Sequence, residues 1–154
     1  MQVEINDHIE KIIISSEAVL VFYKDKVLKN YKKHNNNNKE YLFLSKTISP
    51  FFVRVYNEIE NGFFMERLGE RIGQVEGVYS WVDKEKVKQW LLLLESELDR
   101  LEVAHGDIKP VNIVKSGDSY KLIDFTSAIK KEDVGYDTLK EKDRSDIKKI
   151  INEL

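Results

Sequence analysis

The sequence predicts an α+β protein, rich in strands over its first half and dominated by helix over its second. Short runs of Ile, Val, Phe and Tyr alternate with polar turns between residues 9 and 68. The period then changes: Val87, Trp90, Leu91, Leu94, Leu98 and Leu101 recur every three or four positions, which is one apolar face of a helix. A last pair of short strands brackets a polar turn between residues 113 and 123.

Taken in order, Ile9 to Ile14 and Ala18 to Tyr23 are apolar runs separated by Ser15-Ser16-Glu17, and Lys24-Asp25-Lys26 turns the chain into Val27–Tyr31. This predicts a three-strand meander. His34-Asn-Asn-Asn-Asn-Lys39 reads as a short polar connector. Glu40, Phe43, Leu44 and Thr47 fall on helical spacing, and Pro50 ends that segment. Phe51–Ile59 and Gly62–Leu68 read as a hairpin turned at Glu60-Asn61-Gly62. Gly69 to Ser80 is glycine-punctuated, a loop or short helix, after which Asp83 is placed to cap the long helix. Ile113-Val114 and Tyr120–Ile123 form the second hairpin, turned by Lys115-Ser-Gly-Asp-Ser119, and the residues after Asp124 suffice for a short segment and one helix.

Composition narrows the function classes. With 154 residues, 42% hydrophobic and 34% charged, the chain has the make-up of a soluble globular domain with one core. A formal charge of -2 supplies no polybasic field, so neither nucleic acid nor a membrane surface is an expected partner. The absence of cysteine excludes disulfides and thiolate metal sites, and the three histidines are too scattered for zinc. No long apolar run exists, and the N-terminus lacks a basic region ahead of a hydrophobic stretch, so the expected location is the cytoplasm.

The chemistry concentrates in His105-Gly-Asp107-Ile-Lys109-Pro-Val-Asn112-Ile, followed by Leu122-Ile-Asp124-Phe125. Asp107 and Asn112 flank a proline-stiffened turn and Asp124 ends an apolar run. A carboxylate, a carboxamide and a second carboxylate can therefore converge on a nucleotide and its metal ions. A purely structural reading makes the first two turn formers around Pro110 and the third a strand-end acid bonded to local N–H groups. The order of elements weighs against it, since an amphipathic helix leads into the loop and a hairpin leaves it.

The pattern resembles the catalytic loop His-Arg-Asp-x-Lys-Pro-x-Asn and the Asp-Phe-Gly metal motif of the protein-kinase superfamily, with Gly106 in place of Arg and Thr126 in place of the final Gly. Gly106 is shared with small-molecule phosphotransferases of the aminoglycoside and choline class and with atypical kinases of the Rio type, whereas Lys109 resembles the Ser/Thr protein-kinase loop. The resemblance implies a bilobal kinase-like fold in a single minimal domain, residues 1–68 forming a β-rich N-lobe and 69–154 a shortened helical C-lobe.

It further implies roles residue by residue. Lys29, in Val27-Leu-Lys-Asn-Tyr31, would contact the α- and β-phosphates, with Lys24, Lys26 and Lys32 as competitors. Glu40 would pair with Lys29, or else be an ordinary first-turn glutamate favoured by the helix dipole. Phe63 to Gly69 resembles the linker between lobes, with Met65 as the gatekeeper behind the adenine and the backbone of Glu66 and Leu68 facing the base. Asn112 and Asp124 would hold Mg²⁺, Asp107 would act on the acceptor hydroxyl, and Lys109 would neutralise the transferred phosphoryl group. Asp146 resembles the helix aspartate that binds the catalytic-loop backbone, or is a surface acid.

The implied function is ATP- and Mg²⁺-dependent transfer of a γ-phosphoryl group to a hydroxyl on an unidentified protein or small molecule. The glycine-free Ile14–Ala18 turn, where kinases place a Gly-x-Gly-x-x-Gly loop, keeps a second reading open: a pseudokinase that binds nucleotide or a partner. A sugar or metabolite kinase is the third. A partner or second copy covering the shortened C-lobe stays an open alternative, and independence from activation-loop phosphorylation is expected, because Gly106 offers no guanidinium to receive it.

Overall fold

The predicted meander forms because each run of β-branched residues meets a turn that closes itself. β1 (Lys11–Ile14), β2 (Ala18–Phe22) and β3 (Lys26–Tyr31) pair antiparallel, with Ile14 opposite Val19 and Leu20 opposite Lys29. In this computed structural model residues 8–33, 38–73 and 82–154 are described. Residues 34–37 of the expected connector and 74–80 of the expected loop lie outside them. The chain divides into two units, the first running to Ile48 and resuming at Val53–Arg67, the second made of Ser49–Phe52 and Leu68–Leu154.

In the first unit, α1 (Lys39–Lys46) separates the meander from β4 (Val55–Ile59) and β5 (Gly62–Glu66), giving a five-stranded sheet in the order β1-β2-β3-β5-β4. One face packs Ala18, Tyr31 and Phe63 with Tyr41, Val55 and Met65, and another cluster joins Tyr23, Leu28 and Phe64. Gly62 is a glycine for a local reason: a Cβ there would lie 2.0 Å from the carbonyl oxygen of Lys29 on the adjoining strand. It permits β5 to run close against β3.

The strand expected over Phe51–Ile59 is shorter, starting at Val55. Phe51 and Phe52 serve the second unit instead. Leu122 donates its N–H to the Phe51 carbonyl at 2.8 Å, the Phe52 ring meets Phe125 edge-on at 4.8 Å, and Ser49 donates to Glu97 at 2.5 Å. Alternating apolar residues resemble one strand, but Ser49-Pro50 lies outside the sheet, Phe52 is buried against Phe125 and half-buried Phe51 packs on Trp90.

The second unit is built on α2 (Lys84–Leu101), capped as expected by Asp83, whose carboxylate accepts the Lys86 N–H at 3.2 Å. It buries Val87, Trp90, Leu91, Leu94 and Leu98 and delivers the chain into β6 (Val103–Ala104). A 3-10 turn at Pro110–Asn112 precedes the hairpin of β7 (Ile113–Ser116) and β8 (Ser119–Leu122), turned at Gly117 with φ +59°. Residues 69–72 lie alongside β7, with Gly69 and Ile72 donating to Lys115 and Ile113. β9 (Ile129–Lys130) pairs with β6, and α3 (Tyr136–Glu153) follows. The buried stripe of α3 is Lys140, Asp143, Ile147 and Ile150. The residues between them are largely charged and exposed.

Candidate active site

In the first unit Lys29 is the buried one of the four lysines considered, 7% exposed, and its ammonium meets Glu40 Oε1 at 2.7 Å. Tyr31, two residues along and therefore on the same face of β3, also donates to Glu40 Oε1. Glu40 is thus turned inward from α1, not left as a solvated first-turn acid. A buried carboxylate paired this way fixes the lysine's position, since removing either partner would strand a charge away from water.

Met65 lies on β5 opposite Val27 and Val55, packed against the Ala18, Tyr31 and Phe63 cluster, hence on the Lys29 face of the sheet. Glu66 ends the strand: its N–H donates to the Arg54 carbonyl at 2.9 Å and its carboxylate accepts the Arg54 N–H at 2.6 Å. Leu68 is half-buried and belongs to the second unit. The Ser15-Ser16-Glu17 turn is closed by a side chain. Ser15 Oγ accepts from Ala18 N–H at 3.1 Å and donates to the Ala18 carbonyl at 3.0 Å. A hydroxyl there does the turn-closing that glycine conformations would otherwise supply, and it occupies an amide that could have faced phosphate.

In the second unit Asp107, Lys109 and Asn112 come together. Asn112 Nδ2 donates to the Asp107 carbonyl at 2.9 Å and to its carboxylate at 3.1 Å, and Lys109 Nζ stands 3.5 Å from the same carboxylate oxygen. Pro110 starts the 3-10 turn that makes this geometry, and Asn112 N–H bonds back to the Lys109 carbonyl at 2.9 Å.

Asp124 is tied to this loop through its neighbour. Ile123 donates its N–H to the Asn112 carbonyl at 2.9 Å, and its own carbonyl is bonded to His105 Nε2 at 2.9 Å. His105 Nδ1 accepts the Asp107 N–H at 3.0 Å, which makes the ring a neutral Nε2–H tautomer with both nitrogens engaged. Burial pushes its pKa below the ordinary histidine value, outweighing the Ile123 bond and the nearby aspartates. The imidazole stands edge-on to Phe125 at 4.7 Å. Asp124 adopts φ +59°, a left-handed conformation that aspartate tolerates better than most residues, and its Oδ1 accepts from the Thr126 hydroxyl.

The α3 residue that holds the loop is Asp143, not Asp146. Asp143 is 1% exposed, and its two carboxylate oxygens accept the N–H groups of His105 and Gly106 at 2.8 Å each. Burial pushes its carboxyl upward while these two bonds pull it down, burial being the larger influence. Asp146 pairs with Lys142 at 2.7 Å. The periodicity held the signal: Asp143 shares the 140, 143, 147, 150 stripe, whereas Asp146 is one residue off it.

Gly106 has φ +89°, and a Cβ there would meet Leu139 Cδ2 at 2.9 Å and Ser127 Cβ at 3.1 Å. The volume beside the loop is filled by an α3 leucine.

Among the described residues no group of three or more histidine, aspartate or glutamate side chains could hold a metal alone. Mg²⁺ asks for less, being bound by one or two protein oxygens together with phosphates and water. The donor set fits: Asn112 commits its amide nitrogen to Asp107, turning its oxygen the other way, and Asp124 supplies a carboxylate.

No family model matches the chain, and no curated protein matches it by sequence. By fold, solved structures do match, 1430 chains of them. One is the Rio2 kinase of Chaetomium thermophilum in its ADP/Mg²⁺-phosphoaspartate complex, 17% identical over 93% of this chain, with a TM-score of 0.70. The fold is protein-kinase-like. This chain spans about half of that one, 54% of its length. No described helix is long and apolar enough to cross a membrane.

Proposed function

We propose that this protein is an ATP-dependent phosphotransferase of the protein-kinase-like superfamily, moving the γ-phosphoryl group to a hydroxyl acceptor. The observation that carries the reading is the bonded set Asp107, Lys109 and Asn112, joined through His105 and Ile123 to the segment after β8 that holds Asp124. Turns and caps need no such set.

In this reading Asp107 accepts the proton of the acceptor hydroxyl as its oxygen bonds to the γ-phosphorus and the bond to the β-phosphate oxygen breaks, releasing ADP. Lys109 offsets charge on the transferred group, and its approach to Asp107 keeps it at the reacting end. Lys29, held by Glu40, carries the positive charge for the α- and β-phosphates. Met65 and the backbone of Glu66 and Leu68 take the adenine. Asn112 and Asp124 hold Mg²⁺, which when bound neutralises the phosphates. Because Ser15 already closes the β1–β2 turn, phosphate binding rests more heavily on Lys29 than on loop amides.

Lys109 supports a Ser/Thr-type acceptor, and the Rio2 likeness supports an atypical kinase. The same Ser15 closure supports the second reading, a nucleotide- or partner-binding module without turnover. Incubation with γ-labelled ATP, Mg²⁺ and host lysate, with Asp107→Ala as control, separates them. Label that depends on Asp107 supports the enzyme. Label confined to the chain and released by hydroxylamine would make the acceptor one of its own carboxylates, the chemistry named for the Rio2 complex. Nucleotide binding with no transfer to any acceptor would leave the module.

A further inference from the structure

We propose that Lys142 is a positioning residue for Asp107, clamping from α3 the peptide that precedes the catalytic carboxylate; this rests on the phosphotransferase reading. Two consecutive side chains grip the loop in opposite senses. Asp143 takes the N–H groups of His105 and Gly106, and Lys142 Nζ donates to the Gly106 carbonyl at 3.0 Å. Both backbone polar groups of Gly106 are therefore held by one turn of one helix.

Gly106 is where the loop most needs holding. With no Cβ and φ +89°, it is the residue whose peptide planes rotate most easily, and rotation of the 106–107 peptide would swing the Asp107 side chain. Asp143 fixes the plane before Gly106, and the plane after it is held from its two sides, by His105 Nδ1 on the Asp107 N–H and by Lys142 on the Gly106 carbonyl. A lysine serving only the surface pair with Asp146 would have no reason to reach a loop carbonyl. Here Asp146 Oδ2 holds Nζ at 2.7 Å one helical turn away, aiming it at Gly106. The same bond holds the ammonium protonated above the ordinary lysine range, and the group is near enough to feel the charge of Asp107.

The test compares wild type with Lys142→Met, Lys142→Arg and Asp146→Asn, reading ADP formation from MgATP and amide exchange over residues 105–107. The clamp predicts that Lys142→Met lowers kcat by about 10- to 100-fold, the usual consequence of misplacing a reacting group by about an ångström. KM for ATP stays unchanged, exchange at Gly106 and Asp107 quickens, and Lys142→Arg recovers most of the rate by donating to the same carbonyl. An unchanged kcat in Lys142→Met, or an equal loss in Lys142→Arg, overturns it. Should Lys142→Met not fold, Asp146→Asn decides: a several-fold fall in kcat supports the clamp and none refutes it. If the wild-type chain turns over no ATP, the phosphotransferase reading fails, and the clamp stands or falls on exchange alone, unchanged exchange in Lys142→Met refuting it.

Discussion

His105 accepts the backbone N–H of Asp107 on Nδ1 while its Nε2 donates to the Ile123 carbonyl, so one neutral ring spans the loop and the strand leading to Asp124. Protonating Nδ1 would break the Asp107 bond. Because burial lowers the ring's folded pKa, the unfolded chain takes up the proton first as pH falls. The stabilisation is complete above the unfolded value near 6.5 and is lost as pH falls from there towards the folded value.

The unfolding free energy from urea titration should therefore fall for wild type between pH 7.5 and 5.5, by at most about 1.4 kcal/mol per pH unit from this residue. His105→Gln should be less stable at pH 7.5 but flatter with pH. Asp143, raised by burial, works in the opposite sense and is present in both chains, so the difference between the two curves belongs to His105. Parallel curves would contradict the neutral tautomer.

Gly106→Ala should cost about 2–4 kcal/mol, combining a left-handed non-glycine residue with a Cβ pressed on Leu139 and Ser127. Thermal unfolding checks it. Trimming the obstacle in Gly106→Ala/Leu139→Ala should make the two losses less than additive. Additive losses would mean that the leucine is not what excludes a side chain there.

Thr126 stands where kinases carry glycine, and its hydroxyl bonds to Asp124. Thr126→Ala should weaken Mg²⁺-dependent ATP binding by about 3- to 10-fold, the net worth of one solvent-exposed hydrogen bond, while Thr126→Ser stays close to wild type. Ser127→Ala and Thr138→Ala should leave turnover intact, since no arginine at position 106 waits for a phosphate there. Loss of turnover in either, restored by an acidic replacement, would reveal a phosphate switch after all.

Gly62→Ala would drive a methyl to 2.0 Å from the Lys29 carbonyl oxygen. The backbone must yield, so the first unit should lose about 3 kcal/mol or more, and ATP affinity should fall with it through Lys29. Retained stability and affinity together would show that β3 can shift without cost.

What the sequence disclosed depended on the length scale of the signal. The α2 stripe, the Asp83 cap and the β1–β3 meander rest on local periodicity and turn chemistry, and they stand where expected. The catalytic-loop spacing is local too, and the structure bonds Asp107, Lys109 and Asn112 together. Phe51-Phe52 misled because alternation along a strand does not say which core the aromatics enter. Asp146 resembled the loop-binding aspartate or a surface acid, and the residue that holds the loop is Asp143, which lies on the buried stripe of α3 where Asp146 does not. The reach of Thr126 and Lys142 to Asp124 and Gly106 depends on backbone conformation, which no motif records.

The account separates a residue that holds metal and nucleotide from one that acts only as phosphate moves, and the most direct measurement compares Asp124→Asn with Asp107→Asn by calorimetry with MgATP and by label transfer on the same preparations. Asp124→Asn should lose Mg²⁺-supported ATP binding, whereas Asp107→Asn should bind ATP close to wild type and transfer nothing. Equal loss of binding in both folded variants, or transfer surviving in Asp107→Asn, would contradict the central claim.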